Sequence, residues 1–443
     1  MTPQTPDTLN ILDDLVAAAR RAGADSVDAV LYNSVSLSLS LRLGKMEGLE
    51  RSESGDISLR VLVGQRQATV SSSDRTPDAL RALVDRAMAM ARVVPEDPFA
   101  GLAPPDLLAR SFPDLDLEDP VEPSPDLLTE QARIAEDAAR TVPGVTNSGG
   151  AEAGWTRGDM ALVTSGGFSG RFASTGHSLS VSVLAGTGTA MERDYDYTAA
   201  AWRENLLPAD TVGKNAGERA VRSLNPRKVA SQKVPVVFEP RQARGLLGHL
   251  AAAISGPAIA RGTSFLKNSL NHPVFSDSIS IVDDPFVRRG YRSRPFDGEG
   301  VAPAKRTIIG NGRLTTWLLD CRSARQLGLV STGHSTRGSV SPSNLFMAPG
   351  RKSPEELIRD IPAGLYITEM LGSSVNLVTG DYSRGASGFW IENGTIAWPV
   401  SGITVAGHLS DMFRTLEPAS DLVLRYGVDA PTVRVDGLTV AGT

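Results

Sequence analysis

Between Ala29 and Leu43 the chain alternates: Val35, Leu37, Leu39, Leu41 and Leu43 are separated by Ser36, Ser38, Ser40 and Arg42. A period of two places the apolar side chains on one face of an extended strand and the polar ones on the other. A strand of this kind is covered on one face only, which is the situation of antiparallel sheet. Ile57, Leu59, Val61 and Val63 repeat the pattern, Gly64–Gln65 supplies a turn, and Ala68–Thr69–Val70 begins the return. A meander of antiparallel strands is predicted. Its cover comes from flanking segments at helical spacing. Leu9 to Ala22 carries Ile11, Leu12, Leu15, Val16 and Ala19 on one side, with Gly23 as a stop. Thr76–Pro77–Asp78 opens a second helix to about Val93, with Leu80, Leu83, Val84, Ala87 and Ala91 turned inward.

The same order then recurs. Residues Pro95 to Pro125, dense in Pro and Asp, read as a surface linker. Ser124–Pro125 caps a helix to about Thr141, and Val145 to Tyr197 returns to Gly-punctuated strands, Ser178 to Leu184 echoing Ser58 to Val63. A helix from about Pro208 to Leu224 follows, and Asn225–Pro226 breaks the chain again. Strands followed by a helix thus occur twice, as a structural duplication would arrange them.

Beyond that break, β signals dominate: Ser278 to Val282, Arg306 to Ile309, Val375 to Val378, Gly388 to Ile391 and Thr432 to Val435, with Gly-containing turns at Gly310–Asn311–Gly312 and Asn393–Gly394. Helices are predicted at Pro240 to Ser255, at Ser353 to Ile361 and at Ile403 to Leu416. With 443 residues the chain exceeds a single core. The expected fold class is α+β: N-terminal antiparallel sheets covered by helices, then a C-terminal, mainly antiparallel β domain with a few helices. The expected domains are 1–115, 116–228 and 229–443. The βαβ alternation of a dinucleotide-binding fold is missing.

A net charge of −5 argues against a broad phosphate-binding face, so no nucleic-acid partner is expected. The single cysteine, Cys321, cannot form an intrachain disulfide, and no basic n-region followed by an apolar run opens the chain. A cytoplasmic location is expected. No apolar run reaches the length of a membrane span.

The helix from Pro240 has Leu246, Leu250 and Ile254 on its inner face and carries His249. Zinc-hydrolase helices carry two histidine ligands and a glutamate base. Here Gly245 stands four residues before His249 and Ala253 four after, and Pro240 to Ser276 holds no Asp or Glu. A packed or hydrogen-bonded histidine is the reading these neighbours favour. Asp283–Asp284, near Arg288–Arg289 and the Phe296–Asp297–Gly298–Glu299–Gly300 stretch, could hold a hard cation, but an acidic turn paired with the nearby arginines is expected. Cys321 beside Arg322 could have a lowered pKa, though a buried structural thiol is the expectation. His334 and His408 lie in polar or Gly-rich contexts far apart in sequence. The Gly338–Ser339 loop exposes backbone amides that suit a peptide or partner edge strand. Asp283, Asp284, His334 and Ser339 are therefore candidates for substrate or partner contact.

Several strings in order resemble one family. Leu246–Leu247–Gly248–His249–Leu250, Arg261–Gly262–Thr263–Ser264, Val282–Asp283–Asp284, Phe296–Asp297–Gly298–Glu299–Gly300, Ile309–Gly310–Asn311–Gly312, Ile391–Glu392–Asn393–Gly394 and the closing Val435 to Thr443 are similar to the TldD/PmbA (TldE) metalloprotease family. The resemblance covers nearly the whole chain. It implies two paralogous subunits that pair. In the TldD-like subunit this helix bears a His-Glu-x-x-x-His zinc motif, with a further Cys ligand near the C-terminus. The degenerate motif positions here are Gly248, His249 and Ala253, and Arg425 to Pro431 contains no Cys. This departure matches the PmbA/TldE branch. The resemblance thus implies no catalytic residue, zinc ligand or cofactor in this chain and zinc in a TldD-like catalytic paralogue. It also implies a heterodimer acting on peptide or unfolded-protein substrates, and a homodimer when the chain is alone stays open. Two alternatives are a stand-alone hydrolase using His249, His334 or Cys321, and a non-proteolytic binding module of a gyrase or toxin–antitoxin system.

Overall fold

The structure is a computed structural model that describes residues 6–372 and 374–442. Its first half repeats one pattern. Helix α1 (Pro6–Arg21) precedes strands β1 (Ser26–Arg42), β2 (Lys45–Val63) and β3 (Arg66–Ser72), and α2 (Pro77–Ala91) closes the unit. Helix α3 (Pro125–Arg140) then precedes β4 (Val145–Thr164), β5 (Ser169–Ala185) and β6 (Glu192–Ala200), and α4 (Ala209–Arg222) closes the second. The two units share one six-stranded antiparallel sheet, ordered β3-β2-β1-β4-β5-β6. The two first strands meet in the middle, with Leu37 opposite Trp155 and Leu39 opposite Ala153. The duplication read from the sequence is thus a pair of like units joined edge to edge.

The period-two pattern decides which face the helices cover. Ala29, Leu31, Ile57, Leu59 and Val61 pack under α1 and α2 with Leu12, Leu15, Leu83 and Ala87. Leu37, Leu39, Ala153, Leu179 and Val181 pack under α3 and α4. Both α2 and α3 start as their sequences predict, with the Thr76 and Ser124 hydroxyls accepting from the third residue's amide and a proline in the first turn. α3 and α4 approach closely because α4 presents Gly213 and Gly217 to α3, and a Cβ at Gly213 would lie 2.2 Å from the Ala135 carbonyl.

The stretch from Pro95 to Pro125 differs from the surface linker expected. It has no long regular element, yet Ala103, Ala109, Leu115 and Leu117 are buried. Ala109 donates to Gly300 O, Thr175 donates to Leu117 O, and the Arg325 guanidinium donates to Phe99 O. Its apolar residues, spaced among the prolines, wedge it between the first sheet and the C-terminal region. Beneath them Phe168, Phe172 and Phe296 stack edge to face, with Phe168 and Phe296 centroids 4.9 Å apart.

The second half holds β7 (Gln232–Phe238), α5 (Pro240–Ala253), α6 (Gly256–Ala260), β8 (Ile281–Asp284), β9 (Arg306–Gly310) and β10 (Arg313–Leu314). There follow α7 (Cys321–Leu327), β11 (Asn344–Met347), α8 (Pro354–Ile358), β12 (Ala363–Leu371), β13 (Asp381–Glu392) and β14 (Thr395–His408). The chain closes with α9 (Leu409–Thr415), β15 (Leu416–Pro418), β16 (Val428–Asp429) and β17 (Val433–Ala441). These strands form a five-stranded sheet, β10-β9-β8-β11-β16, and a six-stranded sheet, β14-β13-β12-β7-β17-β15. α5 packs one face between them, with Leu246, Leu247 and Leu250 in the common core. The α+β class holds.

Three local expectations change. Ile403 to His408 is strand rather than helix: Ile403 and Val405 are buried while Thr404 and Ala406 alternate with them, and helix begins only at Leu409. Val375 to Val378 is a turn, with Val375 making a single bridge to Tyr382 and the Asn376 carboxamide accepting from the Val378 amide. Gly256–Pro257 stops α5 and also opens α6. Among the described residues no helix is long and apolar enough to cross a membrane.

Candidate functional site

β7 delivers the chain to Glu239, which stands at the N-terminal boundary of α5 without a side-chain capping bond, and Pro240 occupies the first turn. The start of the helix is fixed by an ion-pair network that joins three parts of the molecule. Glu239, 5% exposed, accepts from Arg241 Nε at 2.8 Å and from Arg219 of α4 at 3.1 Å. Arg241 reaches Asp194 of the edge strand β6 at 3.3 Å and donates to Tyr195 O at 2.9 Å and Thr368 O at 3.1 Å. Burial alone would lower the Arg241 pKa; Glu239 and Asp194 outweigh it and hold the guanidinium above its ordinary range. None of these partners is near Arg241 in sequence except Glu239, so sequence patterns gave no signal for the network.

Ala243, Leu246, Leu247, Leu250 and Ala253 face the core. The opposite face is open: an added Cβ at Gly245 or at Gly248 would meet no atom within 4 Å. His249 lies at the border between the core face and the open face. Its Nε2 is buried without a hydrogen-bond partner, and its ring stands edge-on to Tyr382 at 6.0 Å. Burial, with help from Arg384, pushes its pKa below the ordinary imidazole range. His249 is therefore a neutral, half-buried ring packed on β13, and the hydrogen-bonded state expected as one option is not formed.

A catalytic zinc takes three protein ligands and keeps one position open. Around His249 the donor set falls short. Gly248 carries no side chain, and Ala253 is 0% exposed on the core side of the helix, so these two of the three degenerate positions offer no donor and point in different directions. In the C-terminal stretch from Arg425, the Asp429 carboxylate accepts from the amides of Arg425, Tyr426 and Gly427. Among the described residues no three His, Cys, Asp or Glu side chains are grouped to hold a metal ion. The residues present do not fit zinc.

The other candidates fall into separate places. His334 Nε2 lies 3.0 Å from Asp283 Oδ2, and its Nδ1 lies 2.8 Å from Thr332 Oγ1. Both His334 and Asp283 are buried. This Thr–His–Asp chain resembles a nucleophile relay only in composition, because Thr332 Oγ1 also accepts from the Leu319 amide at 2.7 Å. It fastens the loop to β8. Asp284 pairs with Lys305 at 2.9 Å, whereas Arg288 and Arg289, the neighbours expected to pair with the acidic turn, reach back to Asp116. Ser339 is exposed and shares a turn with Thr336, whose hydroxyl lies 2.6 Å from its own. His408 caps α9 by accepting from the Ser410 amide, and its Nε2 lies 2.8 Å from Thr379 O. His334 and His408 share no partner. Burial, with the Glu299 carboxylate beside it, pushes the Cys321 thiol well up, while Arg322 turns away to Asp97 at 2.7 Å. A thiol held protonated in this way is a structural residue.

Comparison with known proteins adds the family context. Models for the PmbA/TldA metallopeptidase match along the chain: domain 1 at residues 27–91, the central domain at 118–224 and the C-terminal domain at 231–442. The metalloprotease PmbA of Escherichia coli O157:H7 is 38% identical over 437 residues, 98% of this chain and 96% of that protein. A metalloprotease TldD homolog of Buchnera aphidicola is 26% identical over 258 residues, 53% of each chain. Among solved structures, a putative modulator of DNA gyrase from Bacteroides thetaiotaomicron superposes with a TM-score of 0.92 at 28% identity, covering 99% of this chain and 100% of that one. TldE from Thermococcus kodakarensis shares the fold, with a TM-score of 0.86 at 20% identity over 98% and 100% of the two chains.

Proposed function

The chain belongs to the PmbA/TldD metallopeptidase family, and on that premise we propose that it is the non-catalytic subunit of a heterodimeric zinc protease. Its partner is a TldD-like paralogue that supplies the zinc and the base, and the substrates are peptides or unfolded proteins in the cytoplasm. The observation that carries this reading is α5. The helix keeps its packed face and its place between the sheets, while its motif positions offer one imidazole and no second donor. Paralogues named TldD occur in the same family, which supports the choice of partner. The expected domains, 1–115, 116–228 and 229–443, form part of the same proposal. So does a guiding role for Asp284 and Ser339, the two contact candidates that keep solvent-facing atoms.

The decisive experiment purifies the chain alone, the paralogue alone and the two together, and measures bound zinc and peptide cleavage in each. Zinc and cleavage are expected in the complex, and neither in this chain alone. Peptidase activity of the isolated chain that persists after the paralogue is removed refutes the proposal. Alanine substitution of His249, His334 or Cys321 is expected to leave chemistry in the mixed complex nearly intact.

A further inference from the structure

Where the first turn of α5 meets the edge strand β6, a cleft of about 230 Å³ opens between the first sheet and the C-terminal region. Four carboxylates and four arginines line it, yet their hydrogen bonding is unequal. Every carboxylate already has donors. Glu239 takes Arg219 and Arg241, and Asp196 accepts from Asn215 Nδ2 at 2.8 Å. Asp421 accepts from the amide and hydroxyl of Thr432, and Asp429 from three successive amides. Arg244 and Arg425 have no such counterpart: among the described residues neither makes an ion pair.

Arg244 is held by aromatic faces instead, 5.6 Å from the Tyr197 ring centroid and 5.4 Å from that of Tyr426. The two rings lie 4.9 Å apart. Tyr426 is fixed through its hydroxyl, which donates to Tyr197 O, while the Tyr197 hydroxyl is buried with no hydrogen-bond partner. Beside them Val423 is exposed and apolar. The cleft therefore combines an apolar wall with two guanidinium groups without an acid.

We propose that this cleft binds the free carboxylate of a peptide C-terminus, with Arg244 and Arg425 on the carboxylate and the terminal side chain against Tyr197, Tyr426 and Val423. Arginine forks match carboxylate geometry, which gives the contact its direction. The lining charges balance, so a monoanion restores pairing for the spare guanidinium groups, whereas a dianion would crowd four carboxylates. The cleft is smaller than the roughly 300–1,000 Å³ of sites for drug-sized ligands, so it accepts a terminal residue and leaves the rest of the chain outside. The inference goes beyond the proposed subunit role, because it needs neither zinc nor a partner.

The test is calorimetric titration of the full chain, without any paralogue, with N-acetyl-alanyl-phenylalanine as the free acid, with its C-terminal amide, and with inorganic phosphate as competitor. The acid is expected to bind, and the amide about tenfold or more weakly, as loss of a charge-assisted bidentate contact requires. Arg244→Gln and Arg425→Gln should each weaken the acid by a similar factor while leaving the amide unchanged. Thermal melting checks that each variant folds, and if one does not, the other carries the test. The proposal is overturned if the acid fails to bind up to about 10 mM, a limit of roughly −3 kcal/mol, or if acid and amide bind alike. It is equally overturned if the folded variants bind the acid as the parent does, or if phosphate displaces the acid at equal concentration.

Discussion

Placing histidines at Gly248 and Ala253, the two positions of α5 where the motif carries them, should have unequal consequences. Gly248 is exposed, and an added Cβ meets nothing within 4 Å. Gly248→His removes an entropically costly glycine from a helix interior and should change stability by roughly 0.5 kcal/mol or less. Ala253 is 0% exposed, and its carbonyl accepts from the buried Ser264 hydroxyl at 2.6 Å. An imidazole there overfills a packed core, at about 1–3 kcal/mol, and buries a polar ring, at about 1–3 kcal/mol more. Ala253→His should therefore destabilise by about 2–6 kcal/mol. Guanidinium unfolding followed by circular dichroism, with the two variants and the parent side by side, reads this contrast. The double variant, dialysed against zinc and then buffer, should retain no equivalent of metal, because His249 stands where the motif has its glutamate and Arg425 to Pro431 supplies no Cys as a third ligand. An Ala253→His protein as stable as the parent, or a double variant with stoichiometric zinc, refutes the reasoning about how the site differs from a metal centre.

Three other outcomes are expected. Glu136, 0% exposed, accepts from the amides of Leu43 and Gly44 and from the Ser148 hydroxyl; Glu136→Ala leaves these donors unpaired and should lower stability by about 2–5 kcal/mol in denaturant unfolding, with Glu136→Gln costing less. Gly213→Ala should destabilise by about 1–3 kcal/mol by forcing α3 from α4, whereas Gly245→Ala, facing open space, should stabilise by about 0.5–1 kcal/mol, a contrast that melting midpoints resolve. Burial, and after it the charge of Glu299, pushes Asp297 up to about 7 against the pull of three amide donors. A folded-state pKa above the unfolded value of 3.8 means that the native state holds the extra proton between them. This contribution to stability is complete below the unfolded value and is lost as pH rises through about 7. His177, His249 and His334, whose pKa values burial depresses, oppose it, contributing stability above their unfolded values that is lost as pH falls through the folded ones. The difference between the parent and Asp297→Asn isolates the aspartate: the parent should lose stability relative to the variant as pH rises from about 4 to about 7, and parallel profiles would show that Asp297 stays ionised.

Much of the fold was legible in the sequence because the information is local. The alternation from Val35 to Leu43 set both the strand and its buried face. Thr76–Pro77 and Ser124–Pro125 set helix starts through bonds that span three residues. The poverty of donors on α5 was also legible, since Gly245, Gly248, Ala252 and Ala253 have no side chain that can bind a metal whatever the fold does. Local pattern failed where two periods coincide: Ile403 to Leu416 satisfies both spacings, and pairing with β13 and β17 decided for strand over its first part.

Contacts between residues far apart in the chain needed the tertiary structure. Sequence could not say that Arg241 bridges Glu239 to Asp194, that His334 is buried on Asp283 while Arg288 pairs with Asp116, or that Pro95 to Pro125 is a wedge. Nor could it show that Arg244 and Arg425, 181 positions apart, are left without acids in one cleft. Helix and strand periods arise from backbone geometry within a few residues, so a sequence displays them directly. Charge pairing and burial depend on which distant elements pack together, and a long-range ion pair has no period. Even α5 divides this way: its residues settled what it lacks, and only packing revealed that Gly248 faces open space while Ala253 lies in the core.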